Sequence, residues 1–164
     1  MNTTMEKKEF VYATFIRTTP EKLWEALTNG NFSQKYWMGY RIEVEQKVGG
    51  RLRIQPPPGA PAHACSHTGE VLECEPGRKL VYTWVGKDTP EVARKRDGHS
   101  RVTYEITPMG KQVKFRIIHQ NLLAEDVDMD PTSFKGINNG WPMVISSLKS
   151  LLETGEAISF TCAE

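Results

Sequence analysis

The hydrophobic period of this chain changes from alternating to helical in its second half, and that change strongly limits the folds available to it. Between Gly39 and His119 apolar and polar residues alternate, as they do in half-buried strands. From Thr132 to Thr154 the spacing becomes helical. The apolar stripe of this second segment consists of Trp141, Val144, Ile145, Leu148 and Leu152. A sheet with one apolar face and a helix with one apolar stripe bury both surfaces when they pack together.

The alternating region divides into short strands joined by turns. Val48-Gly49-Gly50, Glu75-Pro76-Gly77 and Pro108-Met109-Gly110 are turn sequences, and strands joined by short turns are antiparallel. A Pro-rich loop follows Gln55, and Lys87–Ser100 is predicted to be a polar loop. The predicted strands, including one before the alternating region, are 9–17, 40–46, 51–55, 68–74, 79–86, 101–107 and 111–119.

Alternation also assigns the side chains to faces. Leu80, Tyr82 and Trp84 share one face in KLVYTWVG, the clearest strand of the chain. The equivalent residues of the last two strands are Val102, Tyr104, Ile106, Val113, Phe115, Ile117 and His119. Lys114 and Arg116 lie on the other side, so we expect one covered face and one hydrated face.

Three helices have clear local signals. Thr19 followed by Pro20 predicts a capped helix start, and Asn29-Gly30 predicts the end of that helix. A second short helix is predicted at about 31–37. The C-terminal helix is predicted to start near 139–141, which places Pro142 in its first turn, and to end before Gly155.

These elements predict an α+β helix-grip fold. A curved antiparallel sheet of six to seven strands surrounds a long C-terminal helix, and two short helices follow the first strand. We expect residues 1–164 to form one domain with its core at about 9–155. A twisted sheet packs imperfectly against the ends of a helix, so we also expect a cavity between them.

Composition limits the partners and the compartment. The formal net charge of +1 favours neither a nucleic acid nor a membrane surface, and Arg94-Lys95-Arg96 is too small a basic cluster to bind nucleic acid. The chain has no apolar run of about 20 residues and no signal-peptide pattern at its start. Three cysteines without CxxC spacing are interpreted as reduced thiols, so we expect a cytoplasmic protein.

Four segments carry a resemblance to a known family. They are TTPEKLWEALTN, VGGRLRI, GEVLECEPGRKLVYTW and GWPMVISSLKSLLETG. In order and spacing, from about Phe10 to Gly155, the chain resembles the activator-of-heat-shock-protein-ATPase-homologue-like proteins. That family belongs to the START-related, polyketide-cyclase-like (SRPBCC) superfamily, which includes the birch-pollen-allergen-like proteins. The resemblance implies the helix-grip fold and a range of functions that includes ligand carriers, cyclases, hydratases and chaperone activators.

The candidate site is the expected cavity. Trp37, Trp84 and Trp141 come from three regions that the fold brings together, and aromatic walls are typical of ligand sites. Tyr82 and Tyr104 can orient a ligand by hydrogen bonds or serve as core residues. Arg53 can hold an anion if it points inward, or it can lie on an exposed basic face. The predicted ligand-binding residues are Tyr36, Trp37, Arg53, His67, Tyr82, Trp84, Tyr104, Phe115, His119, Trp141 and Ile145.

Three functions remain open at this stage. The first is a protein that binds a small, largely apolar or aromatic molecule. The second is a cyclase-, dehydratase- or hydrolase-like enzyme that moves protons with His67, His119, Tyr82 or Tyr104. The third is a stress-response module that contacts a chaperone through its surface. Sequence does not separate a monomer from a homodimer.

Neither a cofactor nor a metal is predicted. His63, Cys65 and His67 offer metal-binding atoms, but no fourth ligand is evident, so we interpret HACSH as a solvated loop that enters a strand. The chain has no Ser-His-Asp order, nucleophile elbow, phosphate loop, dinucleotide fingerprint or HExxH pattern.

Overall fold

A computed structural model describes residues 8–61, 66–85 and 90–160 of the chain. Its centre is an antiparallel seven-stranded sheet with the strand order β1-β7-β6-β5-β4-β3-β2. The strands are β1 (Lys8–Ile16), β2 (Arg41–Val44), β3 (Arg51–Gln55), β4 (His67–Glu75), β5 (Lys79–Trp84), β6 (Ser100–Met109) and β7 (Gln112–Leu122). The helices are α1 (Pro20–Thr28), α2 (Gly30–Tyr36), α3 (Pro90–Arg96) and α4 (Ile137–Thr154). The predicted helix-grip fold is confirmed.

Local chemistry explains the two helices after β1. The Thr19 hydroxyl accepts a hydrogen bond from the backbone N–H of Lys22 at 3.2 Å, which caps α1, and Pro20 occupies the first turn. Asn29 ends α1 and also caps α2, because its side-chain oxygen accepts from Asn31 N at 2.8 Å. The two helices therefore follow each other directly and carry the chain from β1 to the far edge of the sheet.

Helix α4 begins at Ile137, two residues earlier than the first residue predicted from Pro142. The two additional residues are helical because the amide N–H of Gly140 donates to Gly136 O at 2.9 Å. Pro142 therefore lies inside the helix rather than in its first turn, and it cannot donate a hydrogen bond to the preceding turn. The helix ends as predicted, with Gly155 in the left-handed conformation at φ 87°.

The predicted polar loop at 87–100 is wrong in part, because α3 forms within it. Its short length gives little hydrophobic period, so the helix has no clear sequence signal. Strands β6 and β7 are also longer than predicted, since β6 continues to Met109 and β7 to Leu122. No helix among the described residues is long and apolar enough to cross a membrane.

The inward face of the sheet is the one that alternation predicted. Leu80, Tyr82, Val102, Tyr104 and Phe115 are each at most 1% exposed, and they pack in one core with Trp141, Ile145 and Leu148 of α4. On the other face Arg116 is exposed. A register shift between Val71 and Glu73 interrupts the pairing of β4 with β5. Helix α4 thus lies against the concave side of the sheet.

Candidate functional site

Trp141 is the centre of an aromatic cluster between the sheet and α4. Its ring centroid lies 5.5 Å from that of Trp84, 5.7 Å from that of Trp37 and 6.1 Å from that of Tyr104, with edge-on geometry in each pair. Such edge-to-face arrangements favour the contact of aromatic rings beyond simple burial. The cluster joins the end of α2, strands β5 and β6, and the first turns of α4.

A partly open cleft of about 250 Å³ lies beside this cluster. Its walls are mostly apolar, and three of its lining residues are tryptophans. Among the described residues that line it, none is Lys, Arg, Asp or Glu. The lining residues are Trp37, Met38, Tyr40, Ile54, His67, Trp84, Gly136, Ile137, Gly140, Trp141, Met143 and Val144.

His67 is the most polar side chain of the cleft. Its ring lies 4.3 Å from the ring of Trp84, and burial lowers its pKa, so the imidazole is neutral near pH 7. Its Nδ1 is buried and has no hydrogen-bond partner among the residues that the structure describes. A buried polar atom without a partner is unfavourable, and a hydrogen bond to it would recover that free energy.

His119 lies behind Trp141 and is 0% exposed. The indole Nε1–H of Trp141 donates to His119 Nδ1 at 3.0 Å, and His119 Nε2 lies 2.9 Å from the Ser100 hydroxyl. An indole nitrogen only donates, so Nδ1 must carry no proton, and in the neutral ring Nε2–H donates to Ser100. Burial lowers the pKa of His119 to about 3. Both ring nitrogens are therefore occupied in a neutral, structural histidine.

The buried tyrosines also bond within the core. The hydroxyls of Tyr82 and Tyr104 lie 2.8 Å apart, and the Tyr36 hydroxyl donates to Ala26 O at 2.7 Å. Burial raises the pKa of all three phenols above the usual value. None of these hydroxyls borders the cleft, so they are poorly placed to move protons on a molecule bound there.

The structure divides the predicted site residues into three groups. Four of them line the cleft, namely Trp37, His67, Trp84 and Trp141. Six others pack behind it in the core, namely Tyr36, Tyr82, Tyr104, Phe115, His119 and Ile145. Arg53 does not point inward, because β3 exposes Arg51 and Arg53 and buries Leu52 and Ile54. The inward-pointing anion anchor considered for Arg53 is therefore wrong, and its exposed alternative is the one observed.

Several lining residues had no sequence signal that separated them from ordinary core or loop residues. Met38 and Tyr40 follow α2, and Ile137, Gly140 and Met143 share the first turns of α4 with Trp141. Met38 is 43% exposed and has a positive φ of 50°, a backbone conformation that is unfavourable for residues other than glycine. Only the loop after α2 places this side chain over the cleft.

Two members of the HACSH metal-site alternative, His63 and Cys65, lie outside the described residues. Among the residues that are described, no group of three His, Cys, Asp or Glu side chains is placed to hold a metal ion. His67, the third member of that motif, instead stacks near Trp84.

Three solved structures are similar to this chain over most of its length. A protein from Mesorhizobium loti is 27% identical, with a TM-score of 0.65, and the match covers 88% of this chain and 96% of that one. The Aha1 dimer from Colwellia psychrerythraea is 21% identical, with a TM-score of 0.68 and coverage of 92% and 99%. An HSP90 activator from Plasmodium falciparum is 23% identical, with a TM-score of 0.64 and coverage of 88% and 95%. No curated protein matches the chain.

The sequence itself supplies the family. Residues 17–153, from the end of β1 to the last turn of α4, match the family described as activator of Hsp90 ATPase homolog 1-like protein. This range contains the four segments that carried the resemblance, apart from Thr154 and Gly155 at the end of the fourth. The chain therefore belongs to the family of activator of Hsp90 ATPase homolog 1-like proteins.

Proposed function

We propose that this protein binds a small, largely apolar molecule in the cleft between the sheet and α4. The observation that carries the proposal is the cleft itself, whose walls include the indoles of Trp37, Trp84 and Trp141. Ligand sites in proteins are mostly apolar and aromatic concavities with a few polar groups. His67 supplies such a polar group.

Binding is favoured over catalysis by the state of the titratable side chains. Both nitrogens of His119 are occupied, and Tyr82 and Tyr104 bond to each other in the core. A general acid or base must reach the proton that it transfers, and these groups have no access to the cleft. Of the described side chains that can transfer a proton, His67 and Tyr40 border the cleft. The Nδ1 of His67 has no orienting partner among the described residues, which gives weak support for an enzyme.

A titration of intrinsic fluorescence with a panel of aromatic and lipid molecules tests the proposal. Trp37, Trp84 and Trp141 border the cleft, whereas Trp24 lies elsewhere and donates its indole N–H to Gln46 Oε1 at 2.9 Å. We expect saturable quenching by at least one molecule, and we expect it to persist in Trp24→Phe. If no member of the panel gives a saturable change in either protein, the binding function is rejected.

Family membership favours a second candidate, a chaperone-activating module. One structural relative is described as an HSP90 activator. We propose this role as the alternative to ligand binding, with contact through the surface of the domain. Addition of the purified protein to Hsp90 is expected to raise its ATPase rate if this alternative holds, and an unchanged rate at large excess would exclude it.

A further inference from the structure

Gly140 is an unusual residue for its position in α4. Ile137, Gly140, Trp141 and Val144 have the spacing of one helix face, and all four line the cleft. The other three are apolar, whereas Gly140 offers no side chain. A glycine inside a helix also lowers stability relative to alanine, so the position carries a cost that its neighbours do not.

The space beside Gly140 is open. A Cβ atom built on this residue meets no heavy atom of the described part of the chain within 4 Å, apart from its chain neighbours and the backbone of its own helix turn. Two other glycines differ: at Gly69 a Cβ would lie 1.9 Å from Thr83 O, and at Gly136 it would lie 2.6 Å from Asp128 N. Five further glycines also have open space, but each of them has a positive φ that favours glycine. Close packing of this protein therefore requires glycine at positions 69 and 136 but not at position 140.

The chemistry of the walls restricts what can fill that space. The lining residues within 8–61, 66–85 and 90–160 include no charged side chain, and His67 is neutral. An ionised group moved into such a site would lose its hydration without gaining an opposite charge. Indole faces and thioethers instead favour flat, polarisable surfaces, and the thioethers belong to Met38 and Met143.

The volume of the cleft indicates the size of the ligand. An apolar cavity of about 150 Å³ accommodates one benzene ring. The cleft here measures about 250 Å³, which is enough for two fused rings. One polar substituent can be accommodated as well, because His67 borders the cleft.

We propose that Gly140 is the specificity-determining residue of the cleft and that the ligand is an uncharged molecule on the scale of two fused rings, seated against the helix backbone at this glycine. The inference rests on the proposed binding function and adds the class of ligand and the residue that selects it. A side chain at position 140 would fill the space beside the helix backbone. The absence of a side chain there therefore sets the size of the ligand.

The test uses 2-naphthol and its anionic counterpart 2-naphthoate at pH 7. Binding is followed by the indole N–H signals in two-dimensional ¹H–¹⁵N spectra, with Trp24 as an internal reference outside the cleft. We expect 2-naphthol to shift the signals of Trp37, Trp84 and Trp141 but not that of Trp24. We expect 2-naphthoate to bind at least ten-fold more weakly.

Variants at position 140 then test whether the ligand occupies the space beside this glycine. Gly140→Leu is expected to weaken 2-naphthol binding at least ten-fold, and Gly140→Ala is expected to have a smaller effect while raising the melting temperature. Lys149→Leu introduces leucine nearer the C-terminal end of α4, at a position that does not line the cleft. This variant should bind 2-naphthol as tightly as the unmodified protein does. Unchanged dispersion of the spectra shows that each variant is folded.

The failure of this inference differs from the failure of the binding function. If Gly140→Leu binds 2-naphthol as well as the unmodified protein, or if 2-naphthoate binds equally tightly, the inference is wrong although the cleft still binds ligands. If neither naphthalene derivative shifts any indole signal, the inference is also wrong. In that case the fluorescence panel decides the binding function separately.

Discussion

At the scale of single residues, the hydrogen bond between Trp141 and His119 shows how a histidine can serve packing alone. Trp141 is 3% exposed and would leave a buried donor unpaired without the imidazole. Because the indole can only donate, the bond also selects the tautomer of His119 and directs Nε2–H to Ser100. The neutral ring is therefore part of the packing that orients Trp141 above the cleft.

Acid should destabilise this arrangement. The pKa of His119 is about 3 in the folded protein, against an ordinary value near 6.5, mainly because of burial, with Asp126 opposing that effect and Arg96 and His67 adding to it. The unfolded chain binds more protons between these two values, so the free energy of unfolding decreases as the pH falls through that window. His119 alone contributes a slope of about 1.4 kcal/mol per pH unit.

Urea denaturation at several pH values between 4 and 7 measures this slope. His119→Asn keeps a hydrogen-bond acceptor for Trp141 but does not titrate, so its stability should depend less steeply on pH. Carboxylates titrate in both proteins, and the difference between the two curves isolates the histidine. Parallel curves would show that His119 does not cause the acid sensitivity.

At the scale of elements, one buried arginine attaches α3 to the end of the sheet. Arg96 is the last residue of α3, and its side chain is 4% exposed. Its guanidinium donates to Asp126 Oδ2 at 2.6 Å, to Asp126 Oδ1 at 3.1 Å and to Asn121 O at 2.9 Å. Asp126 in turn accepts from Leu123 N at 2.7 Å, so the short helix is linked to the turn after β7.

Removal of the guanidinium should loosen α3. Loss of one partner of a buried ion pair leaves the other charge without compensation, and we expect Arg96→Ala to lower the free energy of unfolding by about 3 kcal/mol. Hydrogen exchange in residues 90–96 should accelerate in the same variant. Arg94→Ala is the matched control, since Arg94 lies on the same helix and is exposed. Equal effects of the two substitutions would contradict a specific role for Arg96.

At the scale of the whole molecule, the cleft lies where the end of β5 meets the first turns of α4. The central strands contact α4 through buried side chains such as Tyr104, which is 1% exposed and whose ring centroid lies 6.1 Å from that of Trp141. Trp84, at the end of β5, is only half-buried and borders the cleft. A molecule that fills this gap would add contacts between the sheet and the helix in the folded state only.

Binding should therefore stabilise the whole domain. A ligand that binds only the folded protein raises its stability by about 2.7 kcal/mol at a free concentration one hundred times the Kd. We expect 2-naphthol to raise the melting temperature in proportion to its occupancy. The increase should be lost in Gly140→Leu but retained in Lys149→Leu. An equal increase in both variants would show that position 140 does not select the ligand.

Local sequence chemistry was sufficient for most element boundaries. Thr19 and Gly155 mark helix ends through interactions with adjacent backbone, and the alternation in β5 and β7 depends only on the pleat. It was insufficient for α3 and for the role of Arg96. The basic cluster 94–96 looked like a solvated loop, because the partner of Arg96 is Asp126, far away in the sequence.

The sequence by itself therefore determined most of the elements, the faces of the last three strands and the family, since these depend on neighbours within a few residues or on the order of motifs. Only the tertiary structure decided which inward aromatic residues meet open space. Tyr82 and Trp84 have the same phase in β5, yet one is fully buried and the other lines the cleft. Period tells which face a side chain is on, but depth along that face depends on where α4 passes.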